Sequence, residues 1–319
     1  MKKTRLFLLF ALTVLSILLC LSLSACDSKD AGITDDGLIW VKGEDGVHIT
    51  GYSGTTEDLV IPASIQNTPV VAIDNSTFQN NGMLKTITIP DFVTTIGDLA
   101  FCGCDGLISV TIPNNVTTIG DSAFYGCDGL TSIVIPNSVT SISSSVFHNC
   151  KGLTSVTLGN SVTTIGNSAF DNCSNLTSIV IPDSVTSIGD WAFYSCPKLS
   201  AVYITDIGAW CSIHFANPSA NPLTYAQNLY LNSELVSDVV IPDSVTTIGN
   251  YAFSGCSNLT SIVIPDSVTT IGDGAFSFCP KLKNVYYTGT VKQWAQISIG
   301  LYNSGLTRAN IHYNYVPEA

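Results

Sequence analysis

Charge is what this 319-residue sequence has least of: 11% of its residues are Asp, Glu, Lys or Arg, with 12 basic against 24 acidic. The resulting formal charge of −12 repels nucleic acid and anionic lipid headgroups, so neither is expected as a partner. Histidine is confined to His48, His148, His214 and His312, scattered over separate segments. Four ligands do not converge from such positions, and no metal or other cofactor is expected. Also missing are a Gly-x-Ser-x-Gly elbow, a Gly-rich phosphate loop before a helix and a His-Glu-x-x-His pair. No enzyme is expected. What crowds the sequence instead is Ser, Thr, Asn, Val and Ile, a mixture suited to a β-rich body coated in small hydroxyl side chains.

Residues 1–25 read as a targeting segment. Lys2, Lys3 and Arg5 precede an almost wholly apolar run from Leu6 to Leu23, which ends in Leu23-Ser24-Ala25-Cys26 and then polar Asp27, Ser28, Lys29 and Asp30. This resembles a bacterial lipobox, in which the Cys26 sulfur is acylated and becomes the new N-terminus. Two acyl chains at about 0.8 kcal/mol per buried methylene anchor a protein to a membrane stably. The apolar run is also about long enough for an uncleaved transmembrane anchor; the small residues and Cys at its end favour the lipobox. Residues 26–37 read as the lipidated Cys and a flexible tether, and 38–319 as the body.

Periodicity dominates that body. Phe recurs every 23 residues at 101, 124, 147, 170 and 193, then at 253 and 276. Cys follows three places later at Cys104, Cys127, Cys150, Cys173, Cys196, Cys256 and Cys279, and Ile-Pro marks Pro90, Pro113, Pro136, Pro182, Pro242 and Pro265, with Gly159 once in its place. Phe78 and Pro62 mark a looser first unit. Within a unit, Leu130, Ile133 and Ile135 alternate as a strand buried on one face would, and Pro136 ends it for want of an N–H. Val139 and Ile142 give a second short edge, and Gly120-Asp121-Ser122-Ala123-Phe124 a bend into a short helical turn that Asp caps. One unit cannot bury its apolar side alone. A stack can.

These columns resemble the BspA-type (Treponema-type) leucine-rich repeats of bacterial surface proteins, over about residues 47–315. The resemblance implies a β-rich solenoid of 23-residue repeats with short parallel strands and short helical turns. It also implies a binding role, since members are linked to host-protein binding and coaggregation. Ser143 and Val146 replace the usual Gly and Ala in one unit, and irregular but unbroken rungs are expected there and at Gly159. An N-terminal cap is expected over about residues 38–75. Two longer units interrupt the rhythm at about 200–235 and 284–319; each carries Trp (Trp210, Trp294) on a short helix assigned to the convex side, and the second is expected to close the open end.

Nine Cys remain once Cys20 leaves and Cys26 is lipidated, an odd number. Seven lie in one column, with rungs about 4.8 Å apart against about 2.05 Å for a disulfide. A buried ladder of free thiols is therefore expected, with Cys102 and Cys211 the exceptions. Asp98, Asp121, Asp190 and Asp273 recur at turns, where capping explains them better than acid–base chemistry. Two columns flanking Ala-Phe vary freely, which implies exposure: Leu99, Ser122, Ser145, Ser168, Trp191, Tyr251 and Gly274, and Cys102, Tyr125, His148, Asp171, Tyr194, Ser254 and Ser277. Tyr125, Trp191, Tyr194 and Tyr251 form a candidate contact stripe, since Trp and Tyr dominate binding hot spots; the alternative is that they only cover the column's edge. The strand face, with Thr88, Thr111, Val134, Thr157, Val180 and Val263, is flat and neutral, suited to protein or glycan. The expectation is an exported, envelope-anchored, adhesin-like binding protein with an unknown protein or glycan ligand. The alternative is a passive scaffold touching only other bacterial envelope proteins.

Overall fold

The computed structural model describes residues 30–317. The leader, the lipidation site Cys26 and the start of the tether lie outside the described residues. The chain winds into a stack of rungs, each regular one contributing one three-residue strand and one two-residue strand. Ser132–Val134 pairs in parallel with Ser155–Thr157, and Ser141–Ile142 with Thr164–Ile165, each in the next rung. In the first strand only the middle residue is buried (Ile133 between exposed Ser132 and Val134). Ile135 then turns inward and Pro136 ends the strand, its carbonyl accepting from Val139 N at 3.1 Å.

The helical turn after Gly-Asp takes the form of successive i→i+3 turns. Ala123 N, Tyr125 N and Cys127 N donate to Gly120 O, Ser122 O and Phe124 O, while the residues between, Ser122, Phe124 and Gly126, donate to Ser144 O, Val146 O and His148 O of the next rung. Alternate amides thus serve the rung and the stack, and no buried side-chain polar atom among the described residues lacks a partner. The Phe column forms a stack of nearly parallel rings, with centroids 5.1 Å apart for Phe78–Phe101 and Phe101–Phe124 and 5.7 Å for Phe124–Phe147. Burying each such ring is worth roughly 1.5–3 kcal/mol, and the stack joins one hydrophobic core running from Leu38 to Leu306.

Hydroxyls and carboxamides bind rung to rung. Thr154 Oγ1, Thr177 Oγ1 and Ser200 Oγ donate to the carbonyls of Thr131, Thr154 and Thr177 one rung back. This explains the abundance of Ser and Thr. The turn acids were expected to cap their own turns; instead, Asp98 Oδ1 accepts from Asp121 N and Asp121 Oδ1 from Ser144 N, 23 residues on. They cap the following rung.

At Ser143 the rung is irregular yet stays in the stack, with Ser122 N, Phe124 N and Gly126 N donating to Ser144 O, Val146 O and His148 O. In the Gly column it interrupts, a Cβ at Gly97, Gly120, Gly189 or Gly272 would sit inside van der Waals contact with Asn75 Oδ1, Asp98 N, Asn167 Oδ1 or Asn250 Oδ1. Ser143 carries a Cβ, so its rung cannot approach as closely. Its Oγ donates to Ile119 O instead, and neither Ser132–Val134 nor Ser141–Ile142 pairs with the preceding rung. The strand ladders stop while the core continues. In the first strand row, the rung of Gly159 also pairs on one side only, with Ser132–Val134.

The N-terminal cap begins earlier than expected: Ala31–Ile33 is already a strand, antiparallel to Leu38–Lys42, which is antiparallel to Val47–Tyr52. The tether therefore ends before residue 31, because Ile33 and Ile39 fall in register and the backbone of 31–33 satisfies an otherwise open edge. The two long units share one order of elements. In the first, Ala201–Ile204 leads to helix α1 (Ile207–Ser212), strand His214–Phe215, helix α2 (Leu223–Ala226) and strand Leu229–Leu231; in the second, Asn284–Tyr287 leads to helix α3 (Val291–Trp294), Ser298–Ile299, helix α4 (Ser304–Arg308) and Asn310–His312.

Candidate functional site

At the first long unit both strand rows stop and restart, as they do before the rung of Ser143. Among the described residues, His214–Phe215 pairs only with Ser187–Ile188, and Thr247–Ile248 only with Thr270–Ile271. Helix α1 occupies the space a rung would fill, capped by Asp206, whose side chain accepts from Ala209 N at 2.8 Å. Beside it lies an open cleft of about 580 Å³, bordered by Cys211, Ser212, His214, Ser244, Thr246 and Asn250. A smaller depression of about 250 Å³ lies on the other side of His214, against Thr164, Asn167 and Ser187. Exposed His214 therefore divides a hydroxyl-lined groove along the second strand row. The sequence signal for it was the jump of the Phe column from 193 to 253; nothing in the pattern told that a groove, and not a bulge, would result.

Trp210 was assigned to the convex side. It is 1% exposed, with its Nε1 donating to Ala252 O at 2.8 Å, because the next rung packs down upon α1. Trp294 is half-buried, its ring edge-on to Tyr287 and Tyr313.

The four aromatic candidates differ in exposure. Tyr125 is half-buried, its ring 4.9 Å from His148 and its hydroxyl accepting from Asn149 Nδ2 at 2.9 Å. Tyr251 is half-buried too, lying over Gly274 so closely that a Cβ there would come within 2.8 Å of its Cδ1. Trp191 and Tyr194 are exposed, at 56% and 51%, on the last regular rung before the insertion. Their neighbour in the stack is the long unit: Asn217 Nδ2 donates to Asp190 Oδ1 at 2.9 Å. The general exposure expected of the two variable columns is also corrected. Ser254 is buried because α2 lies over it; a Cβ on adjacent Gly255 would come within 2.7 Å of Leu223 O. The first column is held in common by its backbone, left-handed at Leu99, Ser122, Ser145, Ser168, Trp191, Tyr251 and Gly274 with φ from 52° to 60°.

All nine described cysteines are free, and the thiols of the ladder have a function in the rung. Cys104, Cys127, Cys150, Cys173, Cys196 and Cys279 each donate to the Phe carbonyl 26 residues earlier, at 3.0–3.2 Å. Cys256 is buried in the same column behind the long unit. Burial pushes Cys104, Cys150, Cys196 and Cys279 up to about 12, and Cys256 to about 11. Cys127 and Cys173 are likewise raised well above the ordinary thiol value by burial and by neighbouring thiols. Cys211, on α1, is pushed by burial to about 12, and half-buried Cys102 is raised for the same reason. A thiol so shifted supplies no thiolate nucleophile near neutral pH. Around the groove, then, Cys211 is sealed and Asp206 caps its helix through Oδ1 while exposed at the cleft; what else faces solvent is an imidazole, hydroxyls and, on the adjoining side, an aromatic pair. That inventory suits contact.

Comparison with known proteins gives the same lineage. The BspA type leucine rich repeat region matches in six copies over residues 71–206 and 224–314. No curated protein matches. Among solved structures, a leucine rich cell surface protein from Faecalibacterium prausnitzii is 26% identical with TM-score 0.38, covering 86% of this chain and 99% of its own. A leucine-rich repeat protein of T. pallidum is 24% identical with TM-score 0.39, covering 81% and 91%. The pneumococcal vaccine antigen PcpA is 18% identical with TM-score 0.47, covering 89% and 87%. With the repeat model spanning most of the chain and the rungs stacked as its columns require, this protein belongs to the BspA-type leucine-rich-repeat family.

Proposed function

We propose that this chain is an envelope-anchored, adhesin-like binding protein. It is held to the membrane by lipid on Cys26 and meets a protein or glycan partner through the solenoid surface next to the first long unit. The observation that supports this reading is the exposed pair Trp191 and Tyr194, placed on the rung that borders both the insertion and the His214 groove. Large aromatic side chains left open to water on a rigid edge are the residues that dominate contact energies elsewhere. Groups with catalytic potential are committed to the fold, the buried thiols by their burial and exposed Asp206 by its cap on α1, which supports contact over chemistry.

The test is capture. Full chain in mild detergent, displayed against extracellular-matrix proteins, whole cells and a glycan array, is expected to retain at least one saturable ligand. The double substitution Trp191→Ala with Tyr194→Ala should weaken it by at least about tenfold, the loss typical of one removed hot spot. Absence of any ligand, or a ligand indifferent to both substitutions, would overturn the assignment. Cross-linking that recovers only the bacterium's own envelope proteins would make the chain a scaffold.

A further inference from the structure

The second long unit repeats the first, and they differ at one outer edge. In the first, Leu229–Leu231 pairs in parallel with Ala201–Ile204 on its inner side. On its outer side it pairs antiparallel with Glu234–Leu235, in the register Tyr230↔Leu235 and Leu231↔Glu234. That hairpin turns on Asn232 and Ser233, both left-handed at φ 50° and 71°, the conformation of a two-residue turn whose twist suits the strands it joins. In the second unit, Asn310–His312 pairs with Asn284–Tyr287 on its inner side and with no strand on its outer side among the described residues. Here only Asn314 is left-handed, at φ 56°, and Tyr315 N returns to Tyr287 O at 3.0 Å. Among the described residues the second unit has no hairpin strand of its own.

In a parallel pair, successive residues turn their N–H and C=O to opposite sides. Asn310 N donates inward to Lys283 O at 2.7 Å, so Ile311 presents its amide and carbonyl outward. The described charged side chains of the last unit itself are all positive, although Asp266 Oδ2 and Asp273 Oδ1 of the preceding rung accept from its Gln293 Nε2 and Leu301 N. From Gly274 to Pro317 there is no Asp or Glu, while Lys281, Lys283, Lys292 and Arg308 are all present. None of these four makes an ion pair among the described residues, whose ion pairs involve only His48, Lys85, His148 and Lys151. In a chain of net charge −12 this end is a basic pole. It also exposes Phe278, Leu301 and Tyr302.

We infer that the outer edge of Asn310–His312 accepts an extended, acidic polypeptide segment from a partner as an antiparallel strand. The chain shows the occupant this unit takes: in its first copy the same edge holds a strand carrying Glu234 beside Leu235. Main-chain bonds to Ile311 fix the strand, and Lys283 and Arg308 favour acidic side chains on it. The inference rests on the binding reading above and adds the partner's form.

The probe is a fluorescent ten-residue peptide with the chain's own sequence from Leu231 to Val240, which carries Glu234 and Asp238. Mixed with full chain in mild detergent, it should bind saturably, weaken by roughly tenfold as salt rises from low to high ionic strength, and protect the Ile311 amide from exchange. Lys283→Glu with Arg308→Glu should weaken binding by about fivefold or more on a surface where folding is not at stake. Ile311→Pro, checked by circular dichroism for retained strand content, should abolish it by removing the outward N–H. No saturable binding would overturn the inference. So would binding that survives Ile311→Pro, or an acidic polysaccharide that competes with the peptide and ignores that substitution, or a concentration-dependent dimer that Ile311→Pro dissolves. The peptide assay can fail while surface capture through Trp191 and Tyr194 succeeds, so the two readings fall separately.

Discussion

The absence of one Cβ decides how close two rungs come. At Gly120 the backbone N–H donates to Ile96 O at 2.8 Å, and the Cα lies against Asp98 of the rung below with no room for a side chain. Ser143 carries a Cβ at the equivalent place, and the ladder on that side is lost. Gly120→Ala should therefore open the pairing of Thr118–Ile119 with Thr95–Ile96 and cost about 1–3 kcal/mol, the usual penalty of overpacking. Urea denaturation gives the stability, and amide exchange across residues 118–120 locates the loss. A variant as stable as the parent, with its exchange unchanged, would show that the rungs have slack which the close approach at Gly120 denies. The same scale explains why the variable column misled. Ser122, Trp191 and Tyr251 differ in every property a sequence displays, and what they share is the sign of φ, which leaves no trace in side-chain chemistry when Gly is not chosen.

Among the elements, the N-terminal cap has a pH-dependent clasp. His48, on the strand Val47–Tyr52, places Nδ1 2.9 Å from Asp74 Oδ1 and Nε2 2.9 Å from Asp45 Oδ1. Partial burial opposes the charged imidazole, but bonds to the two carboxylates outweigh it and raise its pKa above the ordinary 6.5; the His48 bond in turn lowers Asp45. A raised pKa in the fold means that protonation and folding favour each other. The clasp is complete below about pH 6.5 and weakens as pH climbs through the raised value. Thermal melts from about pH 5.5 to about pH 8.5 should show the cap losing stability over that interval, and His48→Gln should flatten the trend; an unchanged slope in that variant would assign the pH dependence to another group. The sequence made the regular elements legible because one rung's core residues, Leu130, Ile133, Ile135, Val139, Ile142 and Phe147, must recur at fixed spacing if they are to stack. It hid the Cys-to-carbonyl bonds, since a column of buried thiols looks the same whether or not each one donates. It also hid the strand at Ala31–Ile33, which has no repeat to announce it, and the burial of Trp210, which depends on a rung that starts well beyond it in the chain.

Along its axis, the molecule is a sum of rungs and the interfaces between them, and the interface between the first long unit and the rung after it, like the one before the rung of Ser143, lacks the regular strand pairing. Both strand rows are interrupted there, so the usual backbone ladder does not hold the two parts together. Other bonds cross instead, among them Trp210 Nε1 to Ala252 O at 2.8 Å, Asn221 Nδ2 to Tyr251 O at 2.7 Å, Gly249 N to Cys211 O at 2.8 Å, Ser257 N to Gln227 O at 3.1 Å and Asn258 Nδ2 to Asn228 Oδ1 at 2.6 Å. Trp210→Phe keeps much of the apolar volume and removes the first donor. Asn221 Nδ2 still reaches Ala252 O, at 3.3 Å, so the carbonyl keeps a weaker partner and the cost should fall at the lower end of the roughly 1–3 kcal/mol that a lost buried partner brings. That loss falls on one interface, and in a stack a weakened interface lets the parts on either side open separately. Residues 236–317 should then exchange their amides at lower urea than residues 31–200 in the variant, while the parent opens the two closer together. Mass-resolved hydrogen exchange across a urea series reads both segments in one sample. If the substitution lowers protection evenly from end to end, the junction carries no special share of the stability, and the groove beside His214 lies on a surface as rigid as any other rung.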